Sequence, residues 1–135
     1  MSIPEWALKS NAISKERFLH LELAESRIND HKLMMDSVAV LLIDSPKLML
    51  YALIAQHAKR YYHSIAYATP TGGSTGGVYL RGRGLKEKED TLRQALIDAQ
   101  ANPYIMQHEG NRIRIAAAID NLTRPKSVQL TLSFD

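Results

Sequence analysis

Cysteine is absent from this chain of 135 residues, so disulfides, thiolate metal sites and cysteine nucleophiles are excluded by composition. The absence is consistent with a reducing compartment, and a cytoplasmic location is expected. A long uninterrupted apolar run is missing too. The most hydrophobic stretch, residues 33–55, is broken by Asp36, Asp44, Pro46 and Lys47, which argues against a membrane span. The opening MSIPEWALKS has no charged segment followed by an apolar one and does not read as a secretory signal. Glycine is scarce except in one place: six of the seven fall within residues 69–84, TPTGGSTGGVYLRGRG.

Catalytic and ligand-binding motifs are missing as well. The five histidines, His20, His31, His57, His63 and His108, show no HExxH or other ligand spacing, so neither metal nor cofactor is expected. No serine sits in a nucleophile elbow. Asp36 and Asp44 flank an apolar run, but nothing in the sequence brings them together as an acid–base pair. The glycine stretch lacks the Lys-Ser/Thr pair of a phosphate-binding loop, and GGSTGG runs into the strand-like VYL rather than into a helix. A non-enzymatic protein is therefore expected.

What is present fits one domain over residues 1–135. Hydrophobic residues make up 45% of the chain, enough for one ordinary core. The 17 basic residues exceed the 14 acidic ones, giving a net charge of +3 and a pI near 9.2, a balance compatible with phosphate contacts.

Periodicity predicts an α+β fold in the order ααββαβββ, with a helical part over residues 1–63 and a sheet part over residues 64–135. Ser14 is a good N-cap, and apolar residues at helical spacing run from Phe18 to Leu42. Ser45 and Pro46 then offer a second helix start, so residues 46–62 complete an antiparallel helical hairpin. That second helix would be apolar nearly all round, and would need cover from its own chain, from another copy or from another subunit. Residues 63–68 and 78–83 read as strands flanking the glycine loop, and residues 85–101 as a helix stopped by Asn102 and Pro103. Residues 104–109, 112–119 and 127–134 read as three further strands of an antiparallel sheet of about five, open on one face.

In that arrangement Tyr79, Arg81, Arg112 and Arg114 alternate with core residues and share the open face, with Arg83 in the adjoining loop and Lys59 and Arg60 ending the second helix. Arginines meeting phosphates beside a tyrosine ring is an arrangement that holds a single nucleic-acid strand. Gly72, Gly73, Gly76 and Gly77 would form a flexible loop that orders on a partner. The expected function is a small subunit of a larger nucleoprotein assembly that binds nucleic-acid backbone and docks on other subunits or on itself through the apolar hairpin. By analogy of fold alone, such a chain would suit an RNA-guided complex of the CRISPR type. A viral, phage or cellular assembly protein with protein contacts only, and a small enzyme of phosphorylated ligands, are the alternatives.

Overall fold

The computed structural model describes residues 12–123. In chain order they form β1 (Ile13–Ser14), α1 (Lys15–His20), β2 (Leu33–Met34), β3 (Val38–Ser45), β4 (Leu48–His57), β5 (Arg60–Thr69), β6 (Gly72–Ser74), β7 (Val78–Tyr79), α2 (Lys88–Gln100), a 3-10 turn (Ile105–Gln107) and α3 (Glu109–Thr123). A five-stranded sheet in the order β1-β3-β4-β5-β6 carries α2 and α3 on one face, and the small β2-β7 pair lies against the other. All pairings in the large sheet are antiparallel except β1 with β3.

The chain is α+β, but the expected N-terminal helical hairpin does not exist. Residues 38–57 form the central β-hairpin instead, and β5 spans residue 63, where the helical part was expected to end. The physical reason lies in Ser45 and Pro46. A serine followed by proline starts a helix and starts a tight turn equally well. Here the Ser45 hydroxyl accepts hydrogen bonds from the main-chain N–H of Lys47 (3.3 Å) and Leu48 (3.1 Å), closing the β3-β4 turn. The apolar character all round that suggested a buried helix belongs to a strand covered on both faces. Leu50, Ala52 and Ile54 face the helices and are fully buried, while Tyr51 and Ala55 are buried on the opposite face. Burying a side chain such as Leu50 or Ile54 stabilises the fold by roughly 1.5–3 kcal/mol.

Ser14 does cap a helix, with its hydroxyl accepting from the Arg17 N–H at 3.1 Å, but that helix ends at His20. The helix expected over residues 85–101 is α2. It buries Leu92, Ala95, Leu96 and Ala99, the i, i+3, i+4, i+7 stripe of an amphipathic helix. Residues 104–109 and 112–119 are not strands. The alternation in RIRI coexists with a helical stripe of Asn111, Ile115, Ala118 and Leu122, and three alanines favour the helix, so α3 forms and packs on α2 and β3. The strand expected over residues 127–134 and the reading of the opening stretch lie outside the described residues. Among the described residues no helix is long and apolar enough to cross a membrane.

Candidate functional site

The outer edge of β5 is closed at both ends and open in the middle. At one end Tyr61 and Leu85 exchange main-chain hydrogen bonds, N–H to O at 2.8 and 2.9 Å. At the other, Tyr67, Ala68 and Thr69 pair with Ser74, Gly73 and Gly72. Between them, His63, Ser64 and Ile65 pair with β4 on the inner side, and no described strand pairs with them on the outer side. Glycines allow both closures. A Cβ on Gly73 would lie 2.3 Å from the Tyr67 carbonyl oxygen, and one on Gly84 would lie 2.9 Å from the Tyr61 carbonyl oxygen. Gly84 also has φ +65°, a conformation that side chains disfavour.

A cleft of about 690 Å³ follows the open segment. Its floor is β5, from Tyr61 to Ser64. One wall is α2, through Gln94 and Asp98, and the other is the β6-β7 connection and the turn after β7, through Gly76, Gly77, Tyr79 and Arg81. His63, largely buried with its side chain 17% exposed, meets Asp98 at 2.8 Å from Nε2 to Oδ2. Gln94, one helical turn before Asp98, donates to the other carboxylate oxygen at 3.0 Å. On the opposite wall Tyr79 is exposed, and the Arg81 guanidinium lies 5.3 Å over its ring, a cation–π contact.

Cations gather along the rim. Lys59 stands in the β4-β5 turn and Arg60 follows it. The Cβ of Arg60 is 3.1 Å from where a Gly84 Cβ would be, which brings it beside the Arg83 turn and Lys86. The Lys32 main-chain carbonyl accepts the Leu80 N–H at 2.8 Å, so the Lys32 backbone lies beside the chain just before Arg81. Arg27 and Arg93 form the ion pairs of the described residues, and His57 and His63 each contact a carboxylate. Arg81 lines the cleft, and Arg60, Arg83 and Lys86 flank its Gly84–Leu85 edge; among the described residues none of these four forms an ion pair. The carboxylate of Asp98 stands on the α2 wall, exposed.

Of the seven expected nucleic-acid contacts, Tyr79 and Arg81 line the cleft, Arg60 and Arg83 stand beside its Gly84 edge, and Lys59 is in the β4-β5 turn next to Arg60. Val78 is buried while Tyr79 and Arg81 point out, as their alternation predicts. Arg112 and Arg114 do not join them, because they are exposed on α3 rather than on a sheet face. Arg112 Nε donates to the Met106 carbonyl at 2.6 Å, and nearby Tyr104 packs on Tyr67 at the far end of β5. The shared open face bearing Tyr79 with Arg112 is therefore overturned. The flexible loop is corrected too: Gly72 and Gly73 belong to β6, and of the four glycines only Gly76 and Gly77 line the cleft. Asp36 and Asp44 are not a pair. Asp36 is bound by Arg27 through its guanidinium (2.9 and 3.0 Å) and its main-chain N–H (2.8 Å), which hold the carboxyl down to about 2.

His63, Gln94 and Asp98 were not singled out from sequence. The i, i+4 spacing of Gln94 and Asp98 is legible, but their meeting with a strand residue 35 positions away depends on how α2 lies on the sheet. Among the described residues no group of three His, Cys, Asp or Glu side chains could hold a metal ion. Comparison with family models, with curated proteins and with solved structures gave no match.

Proposed function

We propose that this chain is a non-enzymatic cytoplasmic subunit of a nucleoprotein assembly that binds single-stranded nucleic acid along the rim of the β5 cleft. The observation that carries this reading is the Tyr79–Arg81 contact on the cleft wall, with Arg60 packed beside Gly84 at the cleft edge and Lys59, Arg83 and Lys86 adjacent in the chain to lining or edge residues. Guanidinium and ammonium groups neutralise successive phosphates, and an exposed aromatic ring offers a face to a base whatever its identity. The apolar run that suggested docking on another subunit is the middle of the sheet, covered by the chain's own side chains, so the proposal makes no use of it. A phosphate cradle in the glycine segment also loses support, because Gly72 and Gly73 are committed to β6 and no helix follows directly.

The test is polarisation of a labelled single-stranded oligonucleotide of about 12 nucleotides, within the site size of small single-strand binders. With about five phosphate contacts, log K should fall against log salt with a slope of roughly −3.5, or about a hundredfold between about 50 and about 200 mM. Absence of binding at the low end of that range would contradict the proposal.

A further inference from the structure

The open segment of β5 has a use that backbone binding alone leaves unexplained. Tyr61 directs its N–H and C=O outward to Leu85, and main-chain direction alternates along a strand. His63 and Ile65 therefore direct theirs outward as well, and no described strand takes them up. An edge donor and acceptor side by side match the donor and acceptor that each nucleobase carries on its Watson–Crick edge. The cleft volume of about 690 Å³ falls among small-ligand sites.

Charge decides which part of a nucleotide enters. The rim carries Arg81 with Arg60 and Arg83 beside it, whereas the α2 wall carries the Asp98 carboxylate, hydrogen-bonded by His63 and Gln94. A phosphate is attracted to the first and repelled by the second, so the neutral base goes in and the backbone stays on the rim. We propose, resting on the reading of function above, that the cleft is a base subsite. One unstacked nucleobase of the bound strand lies against the Tyr79–Arg81 stack with its hydrogen-bonding edge on the outward N–H and C=O of His63. Because the strand edge offers both a donor and an acceptor, this contact accepts any of the four bases.

The test uses the full chain and two oligonucleotides of equal charge, an oligouridylate and an abasic strand of the same length, each about 12 nucleotides. The oligouridylate should bind at least about tenfold more tightly at matched salt, and Tyr79→Ala should reduce that gap to about twofold or less while leaving most of the salt slope in place. Amide hydrogen exchange gives the second readout. The His63 amide should exchange fast in the free protein, slow down on adding oligouridylate, and stay fast with the abasic strand. Equal affinity for the two strands, or a His63 amide already protected in the free protein, would overturn the base subsite and leave the rim as a backbone contact. Failure of both strands to bind would instead remove the proposed function, and the subsite with it.

Discussion

At the scale of single residues, backbone conformation gives the sharpest expectations. Gly84 combines φ +65° with close approach to Tyr61 and Tyr62, so Gly84→Ala meets both a left-handed penalty and a collision. The conformational part alone is about 1–2 kcal/mol, and a fall in the denaturant midpoint at constant slope would report it. The β4-β5 turn offers the opposite sign. Ala58 and Lys59 hold φ of 51° and 63°, the two positive angles of a type I′ hairpin turn that favours Asn-Gly. Replacing this pair with Asn-Gly should raise stability by about 1 kcal/mol, read as a higher midpoint. Asp36 carries the clearest pH effect. Its folded value near 2 lies below its ordinary 3.8, so the Arg27 contact stabilises above the ordinary value and is lost as pH falls towards 2. Asp36→Asn should therefore lower the urea midpoint slightly at neutral pH and leave it unchanged near pH 2, a small effect because the pair is exposed.

At the scale of elements, α3 separates the two readings of RIRIAAAI. In a strand, Ile113 and Ile115 would share one face. In the helix Ile113 is 62% exposed and Ile115 is fully buried. Ile115→Ala should cost about 2–5 kcal/mol and Ile113→Ala within about 0.5, measured by thermal or denaturant unfolding. Similar losses at both positions would restore the strand. The cap at Ser14, the whole of α2 and most of β5 were legible because each carries a local signal: a hydroxyl before a charged turn, an i, i+4 apolar stripe, an alternating run. The β3-β4 hairpin was not. Its apolar positions satisfy both periods, and its Ser-Pro turn has the chemistry of a helix start, so only pairing with β5 decides between them.

At the scale of the molecule, the cleft is assembled from segments spread over residues 59–98, and no local pattern foretells that. Tyr79 was legible as an outward-facing strand residue, whereas Arg81 lies beyond β7, which ends at Tyr79 and not at residue 83 as expected. The Asp98 wall was not legible, because it depends on α2 crossing β5, and Arg112 and Arg114 were misplaced with the strand that turned out to be α3. The account rests on the claim that nucleic acid meets the cationic rim and not the basic face of α3. Polarisation of a labelled single-stranded oligonucleotide tests it most directly, comparing Arg81→Glu/Arg83→Glu with Arg112→Glu/Arg114→Glu at about 100 mM salt. The rim pair should weaken binding by at least about tenfold and flatten the salt slope by about 1.4, the share of two phosphate contacts, while the α3 pair changes affinity by less than about twofold. Equal losses from both pairs, or a larger loss from α3, would contradict the account.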